Sequence, residues 1–116
     1  MSQAIFHQSS NRPLFINFEL YTDGDADFKR ELIYSIIDNL KEVQVSLLEA
    51  MKNNKLEIFE KTCHKIKPTL ILLDDNELLH TIQSIKMKFA NHQNEELVTD
   101  FGLTCMQIIL SLEKEL

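Results

Sequence analysis

The sequence predicts an all-α fold, an antiparallel up-and-down four-helix bundle preceded by a short N-terminal helix. Apolar residues recur at steps of three and four along four long segments, which is the spacing of one helix face. The 116 residues include only two glycines and two prolines, too few for the tight turns of a sandwich or a barrel. Short polar breaks separate the segments, and short connections place consecutive helices side by side and antiparallel.

The length and composition fit one domain. The chain is 44% hydrophobic and 26% charged, and a domain of this size can bury a core without disulfides or metals. Residues 1–13 are polar and lack a periodic pattern, so we expect a flexible N-terminal arm. Residues 14–116 are assigned to the bundle.

The segment 14–21, LFINFELY, has the apolar content of a strand or a short helix. No second strand-like segment exists to pair with it, so a short helix or turn packed over the bundle is favoured. Phe15, Ile16 and Phe18 are its candidates for burial or for partner contact. The turn 22–25 follows, and the side chain of Asp25 or Asp27 is expected to cap the next helix.

The four long helices are predicted from their apolar stripes, with Gly102 tolerated inside the last at some local cost. They cover, in chain order, the stretch from the cap at Asp25 or Asp27 to about Asn53, then 55–73, 78–89 after an N-cap in 74–76, and 97–112. The stripes consist of Phe28, Leu32, Ile36, Leu40, Val43, Leu47 and Met51 widened by Ile33, Ile37 and Leu48; Leu56, Phe59, Cys63, Ile66, Leu70 and Leu73; Leu78, Leu79, Ile82, Ile85 and Phe89; and Leu97, Phe101, Cys105, Ile108 and Leu112.

The charge balance points to protein partners. The formal net charge is −6, which disfavours non-specific binding to nucleic acid or anionic lipid. No apolar run approaches the roughly 18 residues that span a bilayer, and the N-terminal residues do not resemble a signal peptide. We expect a cytoplasmic monomer.

The two cysteines, Cys63 and Cys105, both fall on predicted apolar stripes, and neither is part of a CxxC pair. Reduced core thiols are the favoured interpretation. A disulfide between them is the alternative.

One histidine is placed differently from the apolar residues around it. His64 follows Cys63 and so lies about 100° round the helix from it, off the stripe and facing solvent. Lys67 comes about one turn later, and Pro68 is at position i+4 from the histidine. An exposed ring nitrogen with a cation one turn away suits a nucleophile that accepts a phosphoryl group.

The run His64-Lys65-Ile66-Lys67-Pro68 resembles the phosphoacceptor helix of histidine-containing phosphotransfer (HPt) domains, in which a His is followed by any residue, an aliphatic residue, Lys and usually Gly. The glycine position holds Pro68, and a second small or Gly position, ten residues after the histidine, holds Asp74. The resemblance extends over residues 14–116. The resemblance is strengthened by the position of the motif on the second long helix of an all-helical chain.

The resemblance implies a phosphocarrier of a multistep, two-component phosphorelay. His64 would be the phosphoacceptor and Lys67 its electrostatic support, while Gln83 or Lys86 would steady the ring from the next helix. The implied partners are a response-regulator receiver domain, which brings the aspartate and Mg²⁺, and a histidine kinase. The chain itself would be no enzyme and need no cofactor, since two isolated glycines cannot form a nucleotide-binding loop.

Two alternatives concern Pro68. A proline inside a helix removes one backbone hydrogen bond and kinks the helix. With Asp74 at the second glycine position, it makes an HPt-like adaptor that binds a receiver or kinase without carrying phosphate the alternative function. The helix could also break at Lys67, with a new helix beginning at Pro68. The continuous stripe through Ile66, Leu70 and Leu73 favours one kinked helix.

The simplest alternative to a phosphoacceptor is that His64 is an ordinary surface histidine.

A metal site is not expected. Glu77 and His80 have the i, i+3 spacing of di-iron bundles, but those need a second such pair and further glutamates. His7 and His92 stand in predicted loops without ligand spacing.

Overall fold

The computed structural model of the chain describes residues 12–89 and 95–116 and is all-α, with no strand in those ranges. A short N-terminal helix precedes four main helices that pack antiparallel, which confirms the predicted fold class. The helices are α1 (Phe18–Thr22), α2 (Ala26–Lys52), α3 (Leu56–Leu73), α4 (Asn76–Lys88) and α5 (Glu95–Glu113).

Side-chain caps fix where three helices begin. Asp25 accepts hydrogen bonds from the backbone N–H groups of Asp27 and Phe28, as predicted, at 2.9 and 3.0 Å. Asp75 accepts from the N–H of Leu78, and Asn17 caps α1. Each cap satisfies N–H groups that have no partner within the helix.

The turn between α3 and α4 depends on a left-handed residue. Asp74 ends α3 with φ of 52°, and its N–H donates to the carbonyls of Leu70 and Ile71, both at 3.2 Å. A non-glycine residue is sterically strained in this conformation. The tight reversal places α4 antiparallel to α3.

The helices form a ring in which α2 packs against α3 and α5, α5 packs against α4, and α4 meets α3 along a shorter seam. Most stripe residues predicted from the sequence are buried in one continuous core. The fully buried large side chains are Ile33, Ile36, Leu40, Leu47, Phe59, Leu73, Leu78, Ile85, Phe101, Ile108 and Leu112.

Three predicted core residues are exposed instead: Phe28, Leu48 and Leu56, by 47, 58 and 51%. Phe28 and Leu56 lie in the first turn of their helices. Leu48 lies at the outer edge of the α2 stripe. Amphipathic periodicity predicts the direction of a side chain, but not whether a neighbouring helix extends far enough to cover it.

The N-terminal end of the described chain is tied to the bundle through Arg12. Its guanidinium donates to both carboxylate oxygens of Asp75 at 2.9 to 3.2 Å, and the Ser111 hydroxyl donates to its carbonyl oxygen at 2.6 Å. Within the predicted arm 1–13, residues 1–11 lie outside the described part of the chain. In the segment that follows, Ile16 is buried, Phe18 is half-buried and Phe15 is exposed.

Among the residues described, no helix is both long enough and apolar enough to cross a membrane.

Candidate functional site

The candidate site is an exposed face of α3 centred on His64. Lys67, Pro68 and Ile71 are also exposed, and positions i+3, i+4 and i+7 lie within about 60° of His64 on a helix. The buried residues Phe59, Ile66 and Leu73 occupy the opposite side. Helical spacing thus separates the face that carries His64 from the core, as the sequence predicts.

Pro68 lies inside one uninterrupted helix. α3 runs from Leu56 to Leu73, so the alternative of a break at Lys67 is wrong. Because proline has no N–H, the carbonyl of His64 has no donor four residues ahead. The packing of Ile66, Leu70 and Leu73 in the core holds the helix together across this position.

The register between α3 and α4 is fixed by two aromatic rings. Phe59 and Phe89 stack with centroids 4.8 Å apart at 33°. In an antiparallel pair this contact brings Lys86 to the level of residue 62 and Gln83 to the level of residue 65. Both predicted α4 residues therefore lie beside the turn of α3 that carries His64.

The charge of Lys86 affects the pKa of Cys63, which places the two side chains near each other. Burial raises the pKa of Cys63 to about 11; the Lys86 ammonium lowers that pKa and the Glu60 carboxylate raises it, both by smaller amounts. Lys86 is therefore close to Cys63, the residue preceding His64. Lys67 lies on the same side of α3 as Cys63, so the two lysines flank one side of the histidine.

The lysines near His64 fall into two groups. On the α2 side, Lys65 pairs with Glu42, and Lys61 forms an exposed pair with Glu57 at 3.5 Å. Lys67 and Lys86, on the α4 side, form no ion pair or hydrogen bond with any residue of the described ranges. Their ammonium groups can interact with an incoming anion without first losing a carboxylate partner.

Glu60 opposes this positive charge. It is exposed, precedes His64 by four residues and so stands one turn away on the same face. The site therefore holds two unpaired cations and one nearby carboxylate.

Gln83 is exposed, one turn before Lys86 on the α3-facing side of α4. In the residues described, no hydrogen bond joins it to His64. Asp74, at the second expected glycine position, does not line the site either. Ten residues of helix separate it from His64 by about 15 Å, so its role is to end α3.

The other titratable residues take no part in this site. Cys63 is half-buried and Cys105 buried, both are free thiols, and burial raises their pKa values to about 11 and about 12. Neither is therefore a ready nucleophile. Over residues 12–89 and 95–116 no cluster of three potential metal ligands occurs, and Glu77 contacts Arg12 at 3.4 Å while His80 is exposed. His7 and His92 lie outside the described residues.

A groove beside the site was missed by sequence reasoning. It lies between α2 and α3, has a volume of about 210 Å³ and includes the paired lysines on the α2 side of His64. Its position depends on how α2 and α3 pair, which no single-helix pattern reveals. The lining residues are Asn39, Glu42, Val43, Ser46, Lys61, Thr62, Lys65 and Ile66.

Comparison with models of known protein families, with curated proteins and with solved structures found no match to the chain.

Proposed function

We propose that the chain is a phosphocarrier of a two-component phosphorelay, which accepts a phosphoryl group on His64 from a receiver-domain aspartate and donates it to another. The observation that carries the proposal is the exposed His64 on a continuous helix with the unpaired Lys67 and Lys86 on one side. The resemblance of the motif to HPt domains supplies the reaction class.

The chemistry requires a neutral imidazole. A ring nitrogen with a free lone pair attacks phosphorus, a P–N bond forms, the P–O bond to the aspartate breaks, and the aspartate leaves as a carboxylate. The phosphoryl group brings negative charge to the helix surface. Ammonium groups on Lys67 and Lys86 offset that charge through charge-assisted hydrogen bonds. Donation to a second aspartate reverses the same steps.

The shape of the site suits a carrier. His64 stands on the convex surface of a helix, where it can enter a cleft in another protein, and exposed Ile71 and Met87 add apolar contact area on the same two helices. The receiver would supply the aspartate and Mg²⁺, and a histidine kinase would supply the phosphoryl group. Such relays operate in the cytoplasm.

Two observations favour the second candidate, an adaptor that binds a receiver or kinase without carrying phosphate. The Pro68 ring occupies the position one turn from His64 that is usually glycine in HPt domains, and the Glu60 carboxylate lies one turn away on the other side. A carboxylate repels a phosphoryl group. Only a transfer measurement separates carrier from adaptor.

The test uses phosphorylated receiver domains encoded in the same genome, incubated with the chain and followed by detection of acid-labile phosphate. Wild type and His80→Gln, a second exposed histidine, are expected to acquire phosphate, and His64→Gln is not. Lys67→Gln and Lys86→Gln are expected to slow transfer, whereas Lys88→Gln leaves it unchanged. If receivers bind the chain but none of them transfers phosphate to it, the adaptor is supported.

A further inference from the structure

The outer side of the α2 and α5 pair carries exposed apolar side chains that the proposed phosphorelay site does not use. Tyr34, Val45 and Leu48 share one side of α2, since steps of 11 and 3 residues return to a similar direction on a helix. Leu103 and Met106 lie on the outer side of α5. All five are 47 to 60% exposed, and we call them the α2/α5 face.

A shallow groove between α2 and α5 borders this face at Leu48. It has a volume of about 160 Å³, and its lining includes Gln44, Leu48, Thr99 and Gly102. A Cβ added to Gly102 would stand 3.5 Å from the side-chain oxygen of Gln44, so residues 44 and 102 lie at the same level. The helices are antiparallel, which brings the C-terminal end of α2 beside the N-terminal end of α5.

The two helices carry charges of opposite sign along this face, most clearly at the end where α2 finishes and α5 begins. At one end α2 carries Lys52 and α5 carries Glu95 and Glu96, and these three form no ion pair within the described part of the chain. At the other end α2 carries Arg30, whose contact with Asp27 is exposed, and α5 carries Glu113. At the Lys52 end the α2 edge is basic and the α5 edge is acidic; at the other end Asp27 balances Arg30, and Lys114 follows Glu113.

This arrangement is self-complementary. A two-fold axis parallel to the helices would place α2 of one copy opposite α5 of the other with the levels preserved. Lys52 would then face the partner's Glu96, and Arg30 would face the partner's Glu113. The apolar residues lie between them, together with the exposed Lys41, which is seven residues after Tyr34 on the same side of α2. Identical subunits associate through such isologous patches, in which every contact occurs twice. An apolar centre with a polar rim is also the usual anatomy of an interface.

We propose that the chain forms a symmetric homodimer through the α2/α5 face. The occupant of the face is a second copy of the chain, in contrast to the monomer expected from the sequence. The seam between α3 and α4 lies on the opposite side of the ring of helices from the α2/α5 face. A dimer therefore presents two His64 sites, both open to partners, and dimer formation does not depend on the phosphocarrier proposal.

Sedimentation equilibrium over a wide concentration range tests the dimer. The wild type is expected to approach twice the chain mass of 13.5 kDa at high concentration and to return to 13.5 kDa on dilution. Leu103→Lys is expected to remain at 13.5 kDa. Met87→Lys is the matched control, because Met87 is an exposed apolar residue on α4, and it is expected to behave as wild type.

Charge exchange tests the pairing. One variant carries Arg30→Glu and Lys52→Glu, and the other carries Glu96→Lys and Glu113→Lys. Each alone should be monomeric because like charges meet, whereas an equimolar mixture should form a heterodimer. A wild type that stays at 13.5 kDa up to millimolar concentration, a dimer that survives Leu103→Lys, or a mixture that fails to associate overturns the proposal. Circular dichroism of each variant confirms that it is folded.

Discussion

Phe59 of α3 stacks on Phe89 at the end of α4, with ring centroids 4.8 Å apart, and this contact sets the level at which Lys86 meets the turn carrying His64. Both rings are buried. The buried contact between the two rings and the candidate site thus involve the same two helices, α3 and α4. A shift of α4 along α3 would move Lys86 and Gln83 away from the histidine.

Phe59→Ala should destabilise the protein by about 3 to 5 kcal/mol, because it removes a fully buried ring and leaves a cavity against Phe89. Urea denaturation measures the loss. Ile71→Ala, on the exposed face of the same helix, should change the unfolding free energy by less than about 0.5 kcal/mol. Equal effects of the two changes would mean that the α3 stripe is misassigned.

Much of this arrangement could be predicted from the sequence, because it depends on local periodicity. The stripes predicted the helices and the exposed placement of His64, and the aspartates before the first long helix predicted its cap. The exposure of Phe28 and Leu56 could not be predicted, since periodicity gives the direction of a side chain and not whether a neighbouring helix covers it. The groove between α2 and α3 and the tie between Arg12 and Asp75 depend on tertiary pairing, the latter across 63 residues of sequence.

Asp75→Ala should cost about 3 to 5 kcal/mol, because it leaves the Arg12 guanidinium, only 12% exposed, without its buried carboxylate partner and also removes the cap of α4. Thermal or urea unfolding measures this loss. Glu77→Ala is the control: its carboxylate also contacts Arg12 but is 70% exposed, so its removal should have little effect. A small effect of Asp75→Ala would show that Arg12 is readily solvated when unpaired.

Pro68→Ala should stabilise the protein by up to about 3 kcal/mol, because it restores an N–H donor to the His64 carbonyl within a continuous helix. Urea denaturation compares it with Lys67→Ala, an exposed neighbour in the same helix that should have little effect. Clear destabilisation by Pro68→Ala would mean that the proline fixes a bend that the bundle requires.

Asp74→Gly should stabilise the protein by about 0.5 to 1 kcal/mol. The left-handed φ of 52° strains an aspartate, and the relief exceeds the entropy that glycine loses on folding. Asp74→Ala keeps the strain and should be less stable than Asp74→Gly. The reverse order in unfolding free energy would show that the backbone conformation at this turn does not limit stability.

Cys63 should react slowly with iodoacetamide at pH 8, because its pKa of about 11 leaves the thiol neutral there, and its rate should rise as the pH approaches 11. Lys86→Gln removes the charge that lowers this pKa, so it should slow the reaction further. Mass spectrometry of the Cys63 peptide measures the rate. Lys88→Gln, on the other side of α4, is the control; an equal effect of both variants would contradict the placement of Lys86.

The central claim is that His64 both accepts and donates a phosphoryl group, and a two-receiver relay tests it most directly. A phosphorylated donor receiver and an unphosphorylated acceptor receiver are mixed with a catalytic amount of the chain, and phosphate on the acceptor is followed over time. We expect transfer with the wild type and with His80→Gln, a transient acid-labile phosphate on the chain, and no transfer with His64→Gln. Transfer that persists with His64→Gln, or receivers that bind the wild type but never exchange phosphate through it, would contradict the account.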